Sequence, residues 1–313
     1  MGTVGSRESP RPLSALSRPA AHVLLHVTVL LWGFTAILGH AISIRAVPLV
    51  WYRIGIVIVV LAILLPLRGQ SLRAPWRSFW RAAVVGAFIG IHWLCFYGSI
   101  KQAGIAIAVL TLSTLAFFTA VLEPIVFRRR VAMGELVIGA VVVAGVALLV
   151  QLRGHPDTLG VLLGFGSALF SAIFGVLNGK LAPHEPPMRL LFHEMLAAFA
   201  VVSLAFVVAP GELVLPNQLS LADVSWLVVL AIACTVVPQV WALIVLRTLS
   251  PFTIAVCVNL ETVYALALGA LIFPDTERLS AKFYVGAAIL LGLVVANGAR
   301  KGLRQRATLP HEP

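Results

Sequence analysis

Among the ionisable residues inside long apolar stretches of this sequence, Glu261, His92, Arg53 and Glu194 stand out. Charge is costly in hydrocarbon, so such groups usually face a cavity or a partner, and each is a candidate site residue. Glu261 lies ten residues after Pro251, about 15 Å along a helix, and so near the centre of its stretch. A carboxyl there suits a proton carrier or a partner for a substrate ammonium, and the sequence places no fixed cation beside it. The structural alternative is a neutral, hydrogen-bonded glutamic acid. His92 follows Arg81 by eleven residues and precedes Lys101 by nine, again near a centre, with Trp93 beside it as a cavity wall. Histidine can carry a proton near neutral pH, or serve only as an interhelix contact.

Arg53 lies about five residues inside its stretch. It can snorkel to the membrane surface or face a cavity and bind a carboxylate or phosphate through its planar fork. Glu194, beside His193, sits about as deep at the other face and is a gating candidate, with Lys180 or Arg189 as its expected partner. Glu261, His92 and Glu194 are thus the residues expected to gate or couple. Further substrate-binding candidates are Trp32, Asn178, Asn259, Tyr264, Thr111 and Thr114, for which interhelix hydrogen bonding is the alternative. No phosphate loop, dinucleotide fingerprint or metal-ligand spacing occurs, so no cofactor, no metal and no catalytic residue is expected.

The elements that must position these groups follow from composition. Of 313 residues 60% are hydrophobic and 11% charged, with a mean hydropathy of +1.01. Soluble domains carry about 25% charge, and disordered chains are poor in apolar residues. Three cysteines, each in an apolar run, exclude a disulfide scaffold. The net charge of +11 does not read as nucleic-acid binding, because the apolar stretches leave no room for a solvated basic face. The expected class is an all-α integral membrane protein with the lipid bilayer as its surroundings.

A span needs about 20 predominantly apolar residues. Ten candidates follow, at 21–43, 47–66, 81–100, 105–126, 133–151, 159–179, 190–209, 224–246, 251–273 and 282–299. Seventeen of the 23 Lys and Arg fall on the side of the N-terminus, five on the other, and Arg53 within a span. Basic loops stay cytoplasmic, so both termini are expected inside. Residues 1–20 have no apolar core and read as a cytoplasmic arm, and 301–313 as a cytoplasmic tail.

An offset of 147 aligns Ala108 with Ala255, Gly139 with Gly286 and Gly145 with Gly292. Offsets of 146 and 136 pair Lys101 with Arg247 and Phe34-Thr35-Ala36-Ile37 with Phe170-Ser171-Ala172-Ile173. Two five-span repeats result, 21–151 and 158–300. Five is odd, so the second enters the membrane from the opposite face. Inverted repeats of this kind carry substrate sites near the midplane. Under the 147 offset Thr114 is the counterpart of Glu261, so the halves differ chemically where they should meet.

Several segments carry a family resemblance: Leu30-Leu31-Trp32-Gly33-Phe34-Thr35-Ala36, Trp51-Tyr52-Arg53, Leu122-Glu123-Pro124 with Glu135, Leu249-Ser250-Pro251 leading to Asn259-Leu260-Glu261, and Phe283-Tyr284-Val285-Gly286-Ala287. In order and duplication they resemble the EamA-type transporters of the drug/metabolite transporter superfamily over nearly the full length. The resemblance implies ten helices in two inverted five-helix repeats, and export or exchange of small metabolites such as amino acids or related compounds. The bacterial inner (plasma) membrane is the expected setting, with protons a candidate coupling ion and a monomer or homodimer the expected form. The family often has proline after the glutamate of the ninth span, where this chain has Thr262, so no helix break is expected there. The competing class is a membrane-embedded enzyme or lipid-handling protein, which would want polar groups clustered at one membrane face.

Overall fold

Serine, aspartate and proline set where the helices begin. Ser17, Asp157, Ser220 and Ser250 each accept a hydrogen bond from a first-turn N–H, of Ala20 (3.4 Å), Gly160 (3.0 Å), Asp223 (3.0 Å) and Thr253 (3.2 Å). Each satisfies a donor that the helix leaves orphaned. Pro19, Pro187 and Pro251 occupy first-turn positions of their helices, where a missing N–H costs nothing.

The computed structural model describes residues 16–131, 133–152, 157–277, 280–282, 285–289 and 292, with no strand among them. The helices are α1 (Arg18–Ala41), α2 (Ala46–Leu67), α3 (Trp76–Leu112), α4 (Leu115–Phe127), α5 (Met133–Leu152), α6 (Thr158–Leu181), α7 (Pro187–Val208), α8 (Leu221–Ala231), α9 (Val237–Val245), α10 (Pro251–Ile272) and the short α11 (Pro274–Glu277). Among the described residues, seven stretches are long and apolar enough to cross a membrane: α1, α2, α3, α6, α7, α8 with α9, and α10. Lipid-facing side chains such as Val23, Ile63, Leu148 and Leu204 are exposed on their outer sides, as expected of a multi-pass membrane protein.

The structure departs from simple spans within the fourth and the eighth, and it turns at Gly104 between the third and the fourth. Gly104 (φ 86°, ψ 171°) interrupts α3 in a conformation open essentially to glycine alone. The chain turns there, so α3 comprises two helical segments that meet at the expected boundary. The fourth is itself cut at Ser113 and Thr114, after which α4 continues for 13 residues. The tenth expected span, 282–299, and the tail 301–313 fall largely or wholly outside the described residues. The eighth holds a π-helical turn, Ile232–Val236, between α8 and α9. Pro238 lacks the N–H that would bond the Cys234 carbonyl, and the ladder widens around that gap.

Packing joins the two repeats intimately. α3 lies mainly on α6 and α7, and α4 on α6; α8 and α9 lie on α2 and α1, and α10 on α1. Gly86 and Gly90, one turn apart on α3, let it approach the α7 backbone at Glu194 and Ala198, leaving no room for a Cβ at position 86. The resulting core includes Leu25, Ile54, Leu61, Ile89 and Leu191, all fully buried.

Candidate functional site

A cavity opens between the repeats, with about 90 Å³ available to the centres of water-sized molecules. α1 contributes Trp32 and Thr35, α2 Arg53, α3 His92, Trp93 and Phe96, α6 Ser171 and Phe174, α9 Gln239, and α10 Pro251 and Glu261. Since a single water needs roughly 10–15 Å³ on this measure, the space holds several waters or a small solute.

Arg53 does not snorkel; it is 2% exposed and turned inward. Its Nε donates to Thr235 Oγ1 (2.7 Å) and its Nη1 to Tyr97 Oη (2.8 Å). The guanidinium lies 3.9 Å from the centre of the Trp93 ring, a cation–π contact that holds it flat. The π turn explains Thr235: its hydroxyl donates five residues back to Leu230 O (2.6 Å) and so presents its lone pair to Arg53. Nη2 makes no hydrogen bond among the described residues and lines the cavity.

Glu261 faces the same space, 5% exposed, and its carboxyl makes no hydrogen bond or ion pair among the described residues. It is within electrostatic reach of Arg53 without touching it. The expectation that no fixed cation lies near Glu261 is therefore corrected: 208 residues of sequence separate it from Arg53, but the fold brings them together.

His92 is fixed by α6. Its Nδ1 lies 2.8 Å from Ser167 O and 3.0 Å from Ser167 Oγ. A carbonyl oxygen only accepts, so Nδ1 carries a proton and Nε2 of the neutral ring is left as an acceptor. Phe96 and Phe174 flank the imidazole, with centroids 6.1 and 5.4 Å away.

Of the ten substrate-binding candidates read from the sequence, Glu261, His92, Trp93, Arg53 and Trp32 line this cavity. Asn178 lines a side arm that shares Trp32, Phe174 and Gln239 with it. Four do not reach it. Thr111 and Thr114 turn their hydroxyls onto their own helix, to Ile107 O (2.7 Å) and Thr111 O (2.6 Å). Asn259 donates back to Ala255 O (3.1 Å), and Tyr264 packs over Gly33.

The expected pairing of Glu194 with Lys180 or Arg189 is also corrected. Arg189 pairs with Glu185, one helical turn back, at 3.4 Å. Five residues separate Arg189 from Glu194, which puts them about 140° apart around the helix. Lys180 instead sits 5.5 Å from the Phe127 ring centre. Glu194 is 1% exposed beside Asn178, with Oε1 unpartnered.

Sequence reasoning missed Tyr97, Thr235, Gln239 and Thr35. Tyr97 carried a signal, since it follows Trp93 by four residues and shares its helix face. Thr235 carried none, because the π turn shifts its face by an amount that an α-helical register does not contain.

These features define a multi-pass membrane protein with a polar, aromatic-walled cavity between two halves. The chain belongs to the EamA-like transporter family, whose model matches residues 20–151 and again 158–298, and it is accordingly a membrane transporter carrying two copies of the family unit. The fold is also that of solved structures, of which 25 chains match. One crystal structure superposes with a TM-score of 0.69 at 18% identity, over 94% of this chain and 100% of the other. No curated protein matches.

Proposed function

We propose that this protein is a secondary transporter, an exporter or exchanger, of a small polar metabolite with both a carboxylate and an ammonium, such as an amino acid or related compound. The observation that carries the reading is the pairing of free valences in one cavity. Arg53 Nη2 offers donors and Glu261 offers acceptors, on opposite repeats, and neither is taken by the other. A zwitterion fits between them, its carboxylate toward Arg53 and its ammonium toward Glu261. Trp32, Trp93, Phe96 and Phe174 form the surrounding wall for an apolar side chain. Protons are the candidate coupling ion, on Glu261 or at His92 Nε2.

The reading includes ten transmembrane helices in two inverted five-helix repeats, alternating access around the cavity, and both termini in the cytoplasm of a bacterial inner membrane. The charge bias of the loops supports the orientation. A membrane-embedded enzyme is disfavoured by the placement of the polar groups deep between the helices, not at one face.

Uptake of labelled amino acids and of their amine-only and acid-only analogues into proteoliposomes tests this. Zwitterions are expected to cross and the truncated analogues to fail. Loss of all flux from correctly folded protein overturns the transport reading, and equal flux of the amine-only analogue overturns the role of Arg53.

A further inference from the structure

The halves of the sequence are not the tightest packing units of the fold. Helices α3 and α4 of the first repeat rest on α6 and α7 of the second, while α8, α9 and α10 of the second rest on α1. α2 touches α8 but lies more extensively on α7, and α10 also reaches α3 and α4, so these are the surfaces along which the two groups meet. Polar contacts follow the same exchange. At one face Asp223, at the third position of α8, accepts from Ser43 N (2.7 Å) and Ser43 Oγ (2.7 Å) in the α1–α2 connection. At the other face Ser78, at the third position of α3, bonds Glu185 in the α6–α7 connection. The serine and the acid have exchanged places, but the join is the same.

Other contacts run across these units, among them Trp51 Nε1 to Ser203 Oγ (3.0 Å) and Thr262 Oγ1 to Val109 O (2.9 Å), and two more hold cations on helix ends. Lys101, near the far end of α3, donates to the carbonyl of Ile42, the C-cap of α1. Arg247, just after α9, donates from Nε to the carbonyl of Ala182, the C-cap of α6 (3.0 Å), and from Nη2 to Glu185 O (2.9 Å). Lys101 and Arg247 are repeat counterparts at the 146 offset. Each places a cation on the negative end of the first helix of its own repeat, and the two sit at opposite faces.

We propose that the bodies moving against each other are two helix-exchanged bundles, α1–α2 with α8–α10 and α3–α4 with α6–α7, and that Lys101 and Arg247 are the clamps between them, one at each membrane face. The contacts at Asp223 and Ser78 then staple each bundle internally and stay made throughout the cycle. Both clamps are engaged in this structure, so releasing one opens one face. This rests on the alternating-access reading above.

Disulfides distinguish the exchanged bundles from the sequence repeats as moving bodies. In a background with Cys95, Cys234 and Cys257 replaced by alanine, Ala255→Cys reports cavity access through its rate of labelling by a membrane-impermeant maleimide from each side of the membrane. Oxidising the pair Ser43→Cys with Asp223→Cys joins the two repeats within one bundle and is expected to change either rate less than about twofold, whereas Ile42→Cys with Lys101→Cys joins the bundles and is expected to suppress labelling from its face about tenfold or more. Recovery of the rate on reduction shows that the pair variants are folded. Lys101→Met and Arg247→Met are expected to raise labelling severalfold from opposite sides. Suppression by the 43–223 disulfide makes the sequence repeats the moving bodies and overturns the proposal, as does indifference to the 42–101 disulfide or to both methionine variants. Switching of access without flux of any compound would remove the transport reading alone. Flux with labelling indifferent to both disulfides would remove only the bundle assignment.

Discussion

The fourth apolar stretch and α10 hold equivalent places in the two repeats and differ in whether a carboxyl faces the cavity. In the fourth, Thr111, Ser113, Thr114 and Thr119 all donate to carbonyls three or four residues back on their own stretch, at 2.6 to 2.9 Å. The helix is broken at Ser113–Thr114, and the hydroxyls sit around the break. α10 is unbroken from Pro251 to Ile272 and carries Glu261 with no protein partner among the described residues. A hydroxyl in a membrane helix can return to its own backbone, but a carboxyl in mid-helix has no free backbone donor on its own helix and needs a partner elsewhere or a cavity. Duplication has therefore preserved the scaffold, while the cavity-facing carboxyl stands on one copy; the buried Glu123 of the other is taken by Arg129 (2.9 Å) and Phe252 N (2.8 Å). The starts differ too: a glycine with positive φ turns the chain at position 104, and its counterpart at offset 147 is Pro251, capped by Ser250.

The largest effect should come from α10. Glu261→Gln keeps size and one carbonyl oxygen, so folding should persist, while net transport of a zwitterion or its proton coupling should fall tenfold or more, about 1.4 kcal/mol of lost interaction with an ammonium. Proteoliposome flux at several pH values measures this. A wild-type rate with unchanged pH dependence would make Glu261 structural and move the coupling role to His92. Next is Arg53→Ala, which removes two charge-assisted hydrogen bonds of about 1.5–3 kcal/mol each and the proposed carboxylate clamp. Both thermal stability and flux should drop. Arg45→Ala breaks only its pair with Glu212, at 3.4 Å with Arg45 78% exposed, and should cost under about 1 kcal/mol and leave flux intact. Equal effects of the two arginine variants would place Arg53 outside the substrate site.

Glu261, His92 and Arg53 were legible in the sequence because hydropathy exposes any ionisable group in an apolar run, and the rise per residue gives its depth. Depth is only one of two coordinates, however. Which side of the helix a residue occupies depends on its neighbours, and Thr111, Thr114, Asn259 and Tyr264 lie away from the cavity in this structure. Glu194 shows the same gap: its depth was readable, its separation from Arg189 around α7 was not weighed. The ten-span pattern treated every apolar run as one straight helix. The hydroxyl-lined break at Ser113–Thr114 lies inside such a run, and hydropathy is blind to it; Gly104 falls between the third and fourth runs, where the sequence already places a boundary. Distance in space between Arg53 and Glu261 needed the whole fold.

The break in the first repeat offers a sharper test than its disruption of a pattern. At φ 86°, ψ 171°, Gly104 occupies a region that other residues enter only with strain. Gly104→Ala should destabilise by about 1–3 kcal/mol, seen as a lower melting temperature in detergent. Because the turn lies outside the cavity lining, flux per folded molecule should change less than for Arg53→Ala. A variant as stable as the parent would show that the turn can be made another way, and that Pro251 and Gly104 are interchangeable solutions.

The smallest effect is expected at the residue that corresponds to Glu261 itself. Thr114 is fully buried, and its hydroxyl donates to Thr111 O at 2.6 Å. Thr114→Val keeps the branched shape and removes one local hydrogen bond, whose net contribution is about 0.5–1.5 kcal/mol. Thr111 O keeps the N–H of Thr114 as a donor, at 3.1 Å, so no buried carbonyl is stranded. Stability should fall by no more than that amount, and flux should stay within about twofold of the parent, since a 0.4 kcal/mol change is roughly a factor of two. Transport assays on Thr114→Val and Glu261→Gln side by side put the asymmetry between the repeats to a direct measurement. A loss at Thr114 as deep as at Glu261 would mean that its hydroxyl leaves the helix and enters the cavity at another stage of the cycle. The two stretches would then alternate in one role, not divide scaffold from chemistry.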